Sequence, residues 1–338
     1  MRSTPVSERE DQGNLSRRGF LICAAALVVG FGALRIIARR KGRLRIREAA
    51  ESDLARAISI IHGDAPDVAG EKAAVMRMTR ASVDALGGMG KLVRKGDTVV
   101  IKPNIAWVRP PEMAANTNPW VVAALVAMCR EAGAGAVKVM DNTISKSPAS
   151  SYDASGIARA AADAGAEAPY VDLSRAVELD IPQATVLPRW PFCREFVDAD
   201  LCDVLINVPV LKEHGTSRLS IGLKNAFGMV AGERGKLHPQ IHAKIPDLHR
   251  VLKVDLTVMD AYRVMRAHGP TGGSLQDVDN SAEGARRIVA SRDPVAVDAY
   301  GARLFGYTPD DVPFVKNSAA AGLGTDDWQS LQVIEHTV

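Results

Sequence analysis

Thr98-Val99-Val100-Ile101-Lys102-Pro103-Asn104 is the stretch that decides the architecture. It is a short, near-continuous apolar run that ends in a cation, a proline and an amide, which reads as a buried strand running into a loop. The same kind of run returns at Ala136-Val137-Lys138-Val139-Met140-Asp141, Val204-Leu205-Ile206-Asn207-Val208-Pro209, Leu256-Thr257-Val258-Met259-Asp260 and Arg287-Ile288-Val289-Ala290-Ser291. Helical segments lie between these runs. Pro119 to Ala132 has proline near its start and Gly133 after it, Ile157 to Ala164 stops at Gly165, and Pro294 to Phe305 stops at Gly306. Residues 50–60, 68–87 and about 247–253 also read as helices, and Pro169-Tyr170-Val171-Asp172-Leu173 as a further strand. Buried strands alternating with helices predict an α/β fold, a mainly parallel sheet with helices on both faces.

Of the 338 residues, 47% are hydrophobic and 24% charged, which fits a globular chain with a sizeable core and excludes a disordered or collagen-like one. The formal charge of +3 hides an uneven distribution. Residues 1–47 hold 11 Lys and Arg against 3 Asp and Glu, whereas the other 291 residues hold 31 basic and 36 acidic groups. A mildly acidic body with a basic arm is not a nucleic-acid binder by bulk electrostatics, and 5% aromatics argues against a stacking platform. Cys23, Cys129, Cys193 and Cys202 form no Cys-x-x-Cys pair, so a resident four-thiolate zinc or iron–sulfur site is not expected. Cys193 and Cys202 read either as a disulfide in an exported protein or as two small buried apolar residues.

The basic arm carries an address. Ser16-Arg17-Arg18-Gly19-Phe20-Leu21 leads into an apolar run that ends at Leu34, the pattern of a twin-arginine export signal. No clean Ala-x-Ala cleavage site follows, and Arg39-Arg40-Lys41 comes next. Residues 1–47 are therefore expected to be a signal for the twin-arginine export machinery or a membrane anchor, and 48–338 a single α/β domain. The expected location is periplasmic, or anchored in the inner membrane with the domain outside.

Polar residues gather where the strands end: Lys102 with Asn104, Asp141 with Asn142, Asn207, Asp260, and Asp293. Ligands of open α/β sheets bind at that edge. Asn and Asp also cap helices and form turns there, so each residue alone has that plainer reading. The densest polar segment runs through Lys212-Glu213-His214-Gly215, Leu223-Lys224-Asn225-Ala226-Phe227-Gly228, Gly232-Glu233-Arg234-Gly235 and His238. Lys102, Lys212 and Lys224 with glycine-rich turns suit an anionic group such as a carboxylate or phosphate. Neither a Gly-x-x-x-x-Gly-Lys-Ser/Thr phosphate loop, a Gly-x-Gly-x-x-Gly fingerprint nor a Gly-x-Ser-x-Gly elbow is present. His214, beside Lys212, is the candidate acid/base or ligand, with Asp260, Asp293 or Asp298 as a carboxylate partner. His238 and His242 are four apart and on one helix would share a face able to hold a divalent metal, with Pro246 breaking that helix before His249.

These pieces, with Thr117-Asn118-Pro119, Gly269-Pro270 and Ser291-Arg292-Asp293-Pro294-Val295-Ala296-Val297-Asp298, resemble the "domain of unknown function 362" family over roughly residues 98–325. The resemblance adds Asn118, Asn225 and Gly228 to the candidate ligand-binding residues. Some members carry a fused ferredoxin-type module, which implies a redox setting. This chain lacks the clustered cysteines, so any cluster is expected on a partner. Three readings compete: an exported enzyme acting on a small anionic ligand, a non-catalytic module that captures a solute or metal, and a membrane-anchored partner of an iron–sulfur protein.

Overall fold

The computed structural model describes residues 44–45, 56–63 and 70–338. The export motif and apolar run at residues 16–34 lie outside the described residues. Among the described residues no helix is long and apolar enough to cross a membrane.

Twelve strands are described. They are β1 (Ala57–His62), β2 (Thr98–Pro103), β3 (Ala136–Val139), β4 (Val177–Asp180), β5 (Arg189–Phe192) and β6 (Val204–Val208). Then follow β7 (Val210–His214), β8 (Arg218–Ser220), β9 (Leu256–Met265), β10 (Val278–Asp279), β11 (Arg287–Ser291) and β12 (Gln332–Thr337). The main sheet runs β12-β1-β11-β9-β6-β2-β3, and along it only β11 is antiparallel to its neighbours. Strand parity explains why both faces carry helices. Val99, Ile101, Val137, Ile206 and Val258 point to one face, under the helices Glu71–Asp84, Pro119–Glu131 and Ile157–Asp163. Val100, Leu205, Met259 and Val289 point to the other, under the helices Ile241–His249, Pro294–Leu304 and Pro313–Ala320. The expected architecture, a mainly parallel sheet covered on both faces, is the one formed.

Ten-residue β9 outlasts its neighbours. Its first part pairs with β6, and past Pro209 its second part pairs with β7, which folds back on β8. The β7–β8 hairpin thus projects from the carboxyl edge of the parallel strands and forms a wall there.

Some expected elements differ. Ala57-Ile58-Ser59-Ile60-Ile61-His62, placed in a helix over 50–60, is β1, and pairing on both sides with β11 and β12 overrides the helical look of the flanking residues. Pro169–Leu173 is not a strand. Asp172 accepts the Ser174 N–H at 3.1 Å and starts a tight turn instead. The helix expected at 247–253 runs Ile241–His249 and passes through Pro246 without breaking. Proline removes the N–H that would serve the His242 carbonyl, and Asn317 Nδ2 donates to that carbonyl at 3.0 Å in its place. Arg45, on the leader side of the expected boundary at residue 47, is buried and ion-paired with Asp255.

Asp247, fully buried on the helix Ile241–His249, accepts the N–H groups of Thr185 (2.8 Å), Val186 (2.9 Å) and Leu187 (2.9 Å). Asp247→Ala strands all three donors and is expected to lower unfolding free energy by about 3 kcal/mol, read from a urea midpoint. An unchanged midpoint would show that water replaces the carboxylate.

Candidate functional site

Strand register lays a polar row across the sheet near its carboxyl edge: Lys102 on β2 beside Asn207 on β6, then Thr257 on β9, then Ser291 on β11. All four are buried, on the face covered by the helices Ile241–His249 and Pro294–Leu304. This row is where the segment Ile221–Met229 is fastened. Asn207 Nδ2 donates to the Gly222 carbonyl at 2.9 Å. Asp298, from the helix Pro294–Leu304, accepts the N–H groups of Gly222 (2.8 Å) and Leu223 (2.9 Å). Burial raises the Asp298 carboxyl to about 8 against the pull of those two donors.

Asn225 is the centre of the network. Its Oδ1 accepts from Lys102 Nζ at 2.7 Å and Asn104 Nδ2 at 3.1 Å, and its Nδ2 donates to Asn207 Oδ1 at 2.8 Å. Lys102 Nζ also lies 2.9 Å from Asp141 Oδ1, while Asp141 Oδ2 accepts the Ile105 N–H at 2.7 Å. Lys212, from β7, donates to Asn104 Oδ1 at 3.2 Å and to the Ala115 carbonyl. Gly228 closes the packing: a Cβ there would fall 2.6 Å from Lys102 Nζ and onto Asp141.

Above this network opens a cavity of about 570 Å³. Lys102, Lys212, Lys224 and Arg234 line it, with Asp141 as the one carboxylate in its wall among the described residues, and Trp107, Phe227, Ile144 and Pro270 supply apolar surface. Arg234 donates to the carbonyls of Asn142 (2.6 Å), Phe227 (3.2 Å) and Thr143 (2.6 Å), tying two loops together. Lys224 differs from the other lysines. Its ammonium lies 4.7 Å from the Phe227 ring centroid, and no hydrogen-bond acceptor or carboxylate reaches it among the described residues.

Crowded cations in a desolvated space favour neutral forms. Burial first, then Lys102 and Arg234, lowers Lys224 to about 7. Lys212 falls well below the usual lysine range through burial and the Lys224 charge. Lys102 is lowered by burial, with Asp141 opposing. His214 falls to about 3 through burial, then Lys224 and Lys212. Its Nδ1 accepts the N–H groups of Thr216 (3.1 Å) and Ser217 (3.4 Å), which leaves Nε2 to carry the hydrogen. The downward direction favours the neutral ring of His214, with Nε2 as its donor atom. His238 stacks against it with ring centroids 6.3 Å apart.

The structure brings Lys102, Asn104, Asp141, Asn142, Lys212, His214, Lys224, Asn225, Gly228 and His238 to one cavity wall, with Asn207 directly beneath. It places the other candidates elsewhere. Asp260 accepts the N–H groups of Asn118 (2.7 Å) and Tyr262 (3.1 Å), and Asn118 caps the helix Pro119–Glu131 through the Trp120 N–H. Asp293 caps the helix Pro294–Leu304 through the N–H groups of Val295 and Ala296. These three serve as caps and turn acceptors, the plainer reading of strand-end Asn and Asp. His238 and His242 do not share a helical face. Gln240, at φ 56°, intervenes before the helix starts at Ile241, and the His242 ring stacks on Phe314 instead. Among the described residues no group of three or more His, Cys, Asp or Glu is arranged to hold a metal ion. Cys129, Cys193 and Cys202 are buried free thiols, raised by burial to about 12, 12 and 11. Arg234, Trp107, Phe227 and Pro270 were not among the candidate site residues. Phe227, Arg234 and Pro270 lie within the quoted motif segments, whereas Trp107 carries no signal in the sequence.

Gly228→Ala is expected to break the buried Lys102–Asp141 pair and lower unfolding free energy by about 3–5 kcal/mol. Gly215→Ala, where an added Cβ meets nothing within 4 Å, is expected to leave the urea midpoint in place. Equal effects of the two substitutions would contradict the packing described.

A family model described as "domain of unknown function (DUF362)" matches residues 99–303. A thylakoid-associated protein of Synechocystis sp. is 27% identical over 267 residues, covering 75% of this chain and 77% of its own length. The matched span runs from β2 to the helix Pro294–Leu304 and holds every residue of the network around Asn225. The chain belongs to the DUF362 family.

Proposed function

We propose that the cavity binds a small organic anion with an apolar body, and that the protein is an enzyme acting on it. One observation carries this reading: Lys224 presents a buried, unmatched amine to a cavity that Lys102, Lys212 and Arg234 also line and that, among the described residues, one carboxylate opposes. Moving a cation out of water without a counter-charge is costly, and a bound carboxylate or phosphate removes that cost. The Nε2–H of His214 adds a neutral donor, and the faces of Trp107 and Phe227 suit the remainder of the ligand. Lysines repel metal cations, so the donor set suits an anion better than a divalent metal. Lys224, lowered to about 7, is the group poised to exchange a proton near neutrality. A capture module would need the same cavity without that group.

The address at Ser16–Leu21 supports a location outside the cytoplasm, exported or anchored. The thylakoid association of the Synechocystis relative fits a membrane setting. A redox partner bearing an iron–sulfur cluster remains part of the proposal. Its test is co-purification from membranes, and isolation of the chain alone from gently solubilised membranes would count against it.

The central test is titration of Trp107 fluorescence with a panel of carboxylates and phosphates. Lys224→Ala is expected to weaken binding at least tenfold, about 1.4 kcal/mol, and the exposed Lys316→Ala to leave it unchanged. The protonated amine is the form that attracts an anion, so affinity falls as pH rises through about 7, and binding above that pH takes up a proton. No saturable response to any anion, or equal binding by the two variants, would remove the reading.

A further inference from the structure

We infer that Lys224 is a carbonyl-reactive amine, forming an imine with a small carbonyl compound that also bears an anionic group. The inference deepens the anion-site reading and rests on it. The choice among the lysines follows from their hydrogen bonds. Lys102 Nζ is held by Asp141 at 2.9 Å and Asn225 at 2.7 Å, and Lys212 Nζ by the Ala115 carbonyl and Asn104. Either would have to give up buried partners to act as a nucleophile. Lys224 Nζ has no hydrogen-bond acceptor among the described residues, lies against the Phe227 ring face and lines the cavity. A lysine amine becomes nucleophilic when desolvated beside other cations, and Lys102 and Arg234 are the cations that act here. At about 7, half of Lys224 is neutral at physiological pH, while Lys102 and Arg234 supply positive charge for the ligand's anion. Further titratable groups facing the cavity are Lys212, Asp141, His214 and His238.

The chemistry balances without an added oxidant or reductant. The Nζ lone pair attacks the carbonyl carbon, and the C=O π pair moves to oxygen. A proton passes from nitrogen to that oxygen, giving a carbinolamine. The C–O bond then breaks, water leaves with one further proton from nitrogen, and the C=N bond forms. His214 lines the same cavity with Nδ1 engaged by backbone N–H groups, so its Nε2 is the atom left to donate to and polarise the carbonyl, which a neutral imidazole can do without giving up its proton.

The experiment incubates the folded protein with pyruvate or pyridoxal phosphate and cyanoborohydride, then locates adducts by intact mass and peptide mapping. The expected result is one reduced adduct per chain, on Lys224. Lactate, which has the anion but no carbonyl, protects against it. Lys224→Arg keeps a positive charge without the nucleophile and is expected to lose the adduct, while the exposed Lys316→Arg keeps both the adduct and lactate binding. Binding of lactate and pyruvate with no adduct, or adducts spread over exposed lysines, overturns the imine and leaves the anion site standing. Absence of binding by any of the three probes overturns both.

Discussion

Lys102 cannot sit at the end of β2 unless something answers its charge, and most of the site follows from what does. Asp141, from the end of β3, supplies the counter-charge at 2.9 Å, and Asn225 supplies a carboxamide oxygen at 2.7 Å. Asn225 is available because Asn207 and Asp298 pin the chain on either side of Gly222 to the sheet. Asn225 also steadies Asn104, which steadies Lys212, so two cations from strands far apart in sequence share one set of amides. A buried ion pair stabilises little on balance, because desolvation offsets most of its attraction, yet losing one partner is severe. The arrangement is therefore better understood as a device for holding charge in a chosen place than as a source of stability. Carbonyl and carboxamide oxygens partly answer those charges, and the cavity is left net positive.

The parallel half of the fold was legible because its strands are buried on both faces and therefore read as continuous apolar runs. β1 was not. Ala57–His62 follows an Ala- and Glu-rich stretch, and its strand state depends on β11 and β12, more than 200 residues away. Pro246 shows the same limit in a helix. Whether a proline ends a helix depends on whether the orphaned carbonyl finds another donor, and Asn317 is invisible from the local sequence.

Strand-end polarity led to the site because Lys102, Asp141 and Asn207 share one edge of one sheet. It misled at Asp260, Asn118 and Asp293, since the short polar side chains that bind ligands at that edge also cap the helices beginning there. Lysines carried more information than carboxylates for this reason: lysine does not cap a helix N-terminus, so Lys102, Lys212 and Lys224 had fewer structural reasons to be where they are. Trp107 and Phe227 reach the cavity only through the paths of their loops. The Thr216 and Ser217 amides bonded to Nδ1 of His214 are contacts within three residues that spacing alone does not reveal.

The central claim is that the fold holds an unanswered lysine in a desolvated, cation-rich cavity. Nitrogen-15 NMR of the side-chain amines, with the Lys224 resonance assigned by its loss in Lys224→Arg, reads that state directly. A titration midpoint near 7 in the ligand-free protein, moving upward when an anion binds, is the result expected. A midpoint above 10 that ignores added anions would mean that Lys224 is an ordinary solvated lysine, and the account of the cavity would fall with it.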